Sequence, residues 1–128
     1  MSSEEKNIIS TDKAPAAIGA YSQAVAAGGK VYISGQIPFT AAGELVSENV
    51  RKQTEQALKN LRAIARAADT DLSRAVKVTI FADDLENFQE INEVYRQYFQ
   101  EQPPARAFVE VSRLPKDVKV EIEAIILQ

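Results

Sequence analysis

Apolar and polar positions along the 128-residue chain change period several times, and each change marks an element. Tyr21 to Ala27 and Lys30 to Gln36 read as strands that flank Gly28-Gly29, a dipeptide suited to a tight hairpin turn. Ser34-Gly35-Gln36-Ile37-Pro38 ends the second strand, because Pro cannot continue a central ladder. From about Ser47 to Ala68, Val50, Ala57, Leu58, Leu61, Ile64 and Ala68 keep helical spacing, and Asp69 to Ser73 break it. Arg74 to Ala82 reads as a strand with Val76, Val78, Ile80 and Ala82 on one face. Asp83 or Asp84 is placed to cap a second helix running to about Gln100, striped by Phe88, Ile91, Tyr95, Tyr98 and Phe99. A strand around Arg106 follows, then a turn at Leu114-Pro115-Lys116-Asp117 and a last strand from Val118 to Leu127. Residues 1–5 are expected to be disordered.

Hairpin, helix, strand, helix, strand, strand is the order of an α+β sheet with two helices packed on one face. Taking Val31/Ile33, Val76/Val78/Ile80, Ala107/Val109 and Val118/Val120/Ile122 as the face under the helices fixes the other by alternation. That open face would carry Tyr32, Ser34, Gln36, Thr79, Phe81, Arg106, Phe108, Glu121, Glu123, Ile125 and Leu127. Phe, Ile and Leu mixed with polar groups on a sheet face call for a cover, which implies a homo-oligomer with a site at the subunit boundary.

Composition narrows the chemistry. The length fits a single domain, 1–128, able to bury roughly two-thirds of the surface its unfolded chain exposes. With 45% hydrophobic and 26% charged residues the chain reads as an ordinary soluble protein. No run approaches a membrane span, and Met1-Ser2-Ser3-Glu4-Glu5-Lys6 is no signal peptide. A formal charge of -3 argues against nucleic acid as a partner. The absence of Cys fits a cytoplasmic location, and without His or Cys most nucleophile-base and metal chemistry is closed. Neither a metal nor a cofactor is expected.

What remains is an arginine with carboxylates. Arg106 carries a permanent charge and a planar fork that matches a carboxylate bidentately, which points to a small carboxylate-bearing substrate. A structural ion pair with Glu110 or Glu121 is the alternative. Glu121 and Glu123 share a face two residues apart, a spacing that suits acid/base work or a solvated edge. Asn92 interrupts an apolar stripe, so its amide needs a partner, by default on a neighbouring strand.

Five segments in order, Ala14-Pro15-Ala16-Ala17-Ile18-Gly19-Ala20-Tyr21-Ser22-Gln23, Ser34 to Pro38, Asn92-Glu93-Val94-Tyr95, Pro104-Ala105-Arg106 and Leu114 to Ala124, resemble the Rid family of reactive intermediate deaminases (YjgF-type). The resemblance runs from about Ile8 to Leu127. It implies a chorismate-mutase-like fold, a homotrimer with clefts between subunits, and hydrolysis of 2-imino acids and their enamines to 2-oxo acids and ammonia. By the same resemblance Arg106 holds the substrate carboxylate and Glu121 activates water. Ser34 and Gly35 lie beside the ligand, and Tyr21 and Asn92 line the cleft. Members that only bind metabolites, or act on RNA, are the alternatives it carries. Relatives commonly have Pro at Ala20, Gly at Asp69, and Cys or another small residue at Phe108. A ring at Phe108 is expected to narrow the cleft and favour short imines.

Overall fold

The computed structural model describes residues 5–128. The expectation of disorder over 1–5 therefore lies, but for Glu5, outside the described residues. A six-stranded sheet runs in the order β1 (Asn7–Ile9), β2 (Ala24–Ala27), β3 (Lys30–Gln36), β6 (Val120–Leu127), β4 (Ala75–Ala82), β5 (Ala105–Glu110). All neighbours are antiparallel except β4 and β5, which are parallel because α2 (Phe88–Tyr98) carries the chain back between them. With α1 (Val50–Ala67) this is a mixed-sheet α+β fold, as the element order implied. The short β1 was not foreseen. Tyr21 to Gln23 precede β2 rather than belonging to it.

Glycine makes the β2–β3 hairpin possible: Gly28 and Gly29 stand at φ 59° and 79°, the left-handed region a type I′ turn demands. α1 begins where Asn49 Oδ1 accepts from Lys52 N at 3.1 Å. It ends with Asp69 left-handed at φ 61° and Thr70 N donating to Ala65 O, a closure in which Gly costs less than Asp. Asp84 caps the single turn Leu85–Asn87 that leads into α2, so the helix proper starts later than either aspartate suggested.

The core lies between the helices and one sheet face: Leu58, Leu61, Ile64, Ile91, Val31, Val78, Ile80, Val120, Ile122 and Ile126 are fully buried. Two buried amides on α1 tie it to the chain beyond the sheet. Gln53 accepts from Lys119 N and donates to Ser47 O, each at 2.9 Å, while Asn60 donates to the carbonyls of Ile37 and Phe39. These bonds hold both ends of what becomes the cleft.

The face assignment needs three corrections, each with a local cause. In β4, Ala75 pairs with Ile126 and Lys77 with Ile125, so Val76 is an extra residue that bulges out and is exposed. In β3, Ile33 pairs with Ala124 and Gln36 with Ile122, and the bulge between them turns Gln36 into the core at 6% exposure. The largest correction is β5. Val78 pairs with Arg106 and Ile80 with Phe108, and paired residues of neighbouring strands point to one side. Arg106, Phe108 and Glu110 therefore lie on the helix side, and Ala107 and Val109 on the open face, where Val109 is 39% exposed. β5 is an edge strand whose apolar residues face away from the helices, and apolarity alone phased it wrongly.

Candidate functional site

The residues singled out from the sequence form two groups, one on each face of the sheet. On the open face an ≈ 680 Å³ cleft is lined by Tyr21, Ser34, Gly35, Glu121, Glu123 and Lys116, among others. The bulge in β3 creates it by placing Ser34 and Gly35 together beside β6. Gln23, buried at 4%, builds the opposite wall: its carboxamide accepts from Thr11 N at 2.7 Å and donates to Pro15 O at 2.8 Å. Ser34 is tied to the same wall, its hydroxyl donating to Ser22 O at 2.5 Å and its amide to Gln23 O. Tyr21 is 55% exposed, its ring in the mouth of the cleft.

Gly35 matters for space rather than for backbone freedom. A Cβ built there would sit 2.2 Å from Glu121 Oε2 and 2.8 Å from its Cδ, so the carboxylate rests directly on the glycine. Burial pushes the Glu121 carboxyl above the usual carboxylate range, and the charge of Glu123 adds to it. Gly35→Ala should evict that carboxylate, because the far end of a side chain yields more readily than backbone. The expected result is a fold stable to within about 1 kcal/mol of wild type with kcat lowered on the order of 10²-fold. Denaturant melts beside steady-state kinetics check it, and wild-type kcat would show that the position of the carboxylate does not matter.

The second group stands against α2. Arg106 Nη1 donates to Asn92 Oδ1 at 2.7 Å, so Asn92 has the strand partner its place in the stripe required. The guanidinium carbon lies 4.8 Å from the centroid of the Tyr95 ring, with Phe88 and Phe108 at 5.8 and 5.9 Å. Phe88 and Phe108 pack on each other at 4.8 Å between centroids. Among the described residues Arg106 makes no ion pair: Glu110 accepts instead from Leu85 N, and Glu121 lies on the other face. Within the described chain, then, neither Glu110 nor Glu121 pairs with it. A guanidinium walled by rings, with one amide partner and no carboxylate, keeps most of its donors for a ligand.

Phe88 and Tyr95 are site residues that the sequence reading left in the core stripe. Their spacing carried the signal, since positions 88, 92 and 95 follow one another on a single helix face. Glu121 and Arg106 do not meet within one chain. Glu121 aligns through Phe81 with Val109, two strands away and three residues along from Arg106. That puts their Cα atoms about 14 Å apart, with the side chains on opposite faces. Among the described residues, no group of His, Cys, Asp and Glu is placed to hold a metal ion, and no helix is long and apolar enough to cross a membrane.

Comparison with known proteins places these residues in context. The family described as endoribonuclease L-PSP matches residues 11–128. The 2-iminobutanoate/2-iminopropanoate deaminase of Rattus norvegicus is 49% identical over 129 residues, covering 100% of this chain and 94% of that protein. The crystal structure of a putative endoribonuclease of Thermotoga maritima superposes with a TM-score of 0.93 at 48% identity, over 95% of this chain and 97% of that one. The structure of E. coli TdcF with bound serine gives 0.91 at 46% identity, over 95% and 98%.

Proposed function

The chain belongs to the Rid (YjgF/RidA) family, and on that footing we propose that it hydrolyses small 2-imino acids and their enamine tautomers, such as 2-iminobutanoate and 2-iminopropanoate, to 2-oxo acids and ammonia. The observation that carries this reading is Arg106, held by Asn92 and three rings with no carboxylate among the described residues to satisfy it. Relatives bearing the deaminase name, at about half identity over the whole chain, support the same chemistry.

Two groups on opposite faces serve one small substrate only if they come from different copies. The open sheet face offers the means of bringing them together, with Tyr32, Val109 and Leu127 exposed beside Phe81 and Ile125. In this reading a neighbouring copy covers that face and brings its Arg106 group up to this copy's Glu121 cleft. The reading adopts a homotrimer of three such sites, each shared between neighbours. Sedimentation of one species of three chains at micromolar concentration is its signature.

The chemistry asks little of the protein. An iminium carbon is already electrophilic, so positioning and one proton acceptor suffice. Arg106 grips the carboxylate and fixes the adjacent C2. Glu121 takes a proton from water as its oxygen bonds to C2, leaving a carbinolamine. That proton returns to the nitrogen. Glu121 then takes the hydroxyl proton as the C=O forms, the C–N bond breaks and ammonia departs, and it passes that proton to the ammonia to become ionised again. No cofactor enters any step. RNA cleavage, the activity in the family's description, has less support in an acidic chain without His. The deciding assay is decay of 2-iminobutanoate with and without the purified protein. Decay no faster than in buffer would retire the reading.

Phe108 borders this grip, since its ring packs at a tilt on Phe88 beside the guanidinium. It therefore remains a candidate gate for the substrate side chain, although on the helix side of β5 rather than on the open face. Phe108→Ala should raise the relative kcat/KM for branched over short imines by about tenfold or more. Substrate ratios measured on the intact assembly test this, and an unchanged ratio would leave Phe108 a packing residue only.

A further inference from the structure

Glu121 is not the only carboxylate in the cleft. Glu123 lies two residues farther along β6, lines the same cleft, and also lines the depression next to it on the open face with Tyr32, Lys77 and Thr79. We propose that Glu121 and Glu123 work as a coupled carboxylate pair, Glu123 serving as a positioning residue that holds a proton on its neighbour without touching the substrate. The proposal rests on the hydrolytic reading of the site.

Three observations carry it. Alternation puts both side chains on one face, about 7 Å apart at Cα, between the buried Val120, Ile122 and Ala124. Across the sheet their partners on β4 are Phe81 and Thr79, and across β3 the cleft wall is Ser34 and Gly35, so neither carboxylate has a cation directly opposite it. The charged and titratable groups that do face this region are Lys116 from the turn before β6, Lys77 on β4, Tyr21 from the segment before β2 and Tyr32 on β3. Neither lysine comes within ion-pair distance of Glu121 or Glu123 among the described residues.

Like charges so placed resist double ionisation, and the last proton to leave the pair is held to higher pH than either group alone would hold it. The half-burial of Glu121 works in the same direction. Covering the open face would strengthen the coupling by removing water, while an Arg106 arriving from the neighbouring copy would oppose it. The functional gain is a stronger base. Imine hydrolysis needs a group that takes a proton from water and gives it back to nitrogen, and a carboxylate held nearer to neutrality does both better.

Carboxyl-carbon NMR of the intact protein tests this without reference to turnover, so it stays readable even if the hydrolytic reading fails. The Glu121 signal should titrate over a range broader than one simple step, and a single simple step would overturn the pair. In Glu123→Gln the Glu121 midpoint should fall by about 1 pH unit or more, and Glu123→Asp should restore it most of the way. The acid limb of kcat/KM should move with the midpoint. A Glu121 midpoint unmoved in Glu123→Gln with the assembly intact would overturn the proposal.

Discussion

Arg106→Ala should lower kcat/KM for 2-iminobutanoate by roughly 30- to 1,000-fold, about 2–4 kcal/mol of transition-state binding. The guanidinium is stacked on Tyr95 and tethered by Asn92, so its remaining donors are aimed before the substrate arrives. Removing it deletes the grip on the carboxylate and with it the placement of C2 over the water. Arg106→Lys should recover little, because an ammonium offers neither the planar fork nor the flat face that packs on the ring. The fold should survive either change, since β5 is an edge strand and Arg106 supports no ion pair of the core. Steady-state kinetics with sedimentation on each variant decide the matter. Activity of the Ala variant within threefold of wild type, with the assembly intact, would remove Arg106 from the site.

Glu121→Gln should cost about 10²- to 10⁴-fold in kcat with KM little changed. The substitution keeps shape and burial and removes only the proton acceptor, so it separates chemistry from binding. The wild-type profile carries a matching sign. Burial and Glu123 raise the Glu121 carboxyl, and the ionised form is the base. Activity should therefore rise with pH through an acid limb lying above the usual carboxylate range, and that limb should vanish in Glu121→Gln. A variant that keeps both wild-type kcat and the limb would show that another group carries the proton.

How much of this could be read from the chain depends on which physical signal each part leaves. The hairpin, both helices and β6 were legible, because Gly28-Gly29, the turn at Leu114-Pro115-Lys116-Asp117 and the 3.6-residue stripe of Val50, Ala57, Leu61 and Ile64 are local instructions. The phase of β5 was not. Both faces of this sheet carry apolar side chains, one for the core and one left open, so Ala107 and Val109 looked as buried as Val78 and Ile80. Only the parallel pairing with β4, a long-range fact, reveals which way Arg106 points. The bulges at Val76 and before Gln36 are equally silent in an alternating pattern, yet the second of them builds the cleft. Tyr21, Ser34, Gly35 and Glu121 line one cleft, and Asn92, Arg106 and Phe108 converge separately on the other face. The faulty strand phase had merged the two groups into a single face on a single chain.

That separation makes one measurement decisive. Chains carrying Arg106→Ala and chains carrying Glu121→Gln, each expected to be nearly inactive alone, can be co-expressed with different tags and assayed as mixed assemblies. If each site takes Arg106 from one copy and Glu121 from its neighbour, random mixing in equal amounts gives about a quarter of the sites both intact groups. Activity should then return to about a quarter of the wild-type level. Mixed assemblies no more active than their parents would contradict the shared site, and with it the account of how this fold does its chemistry.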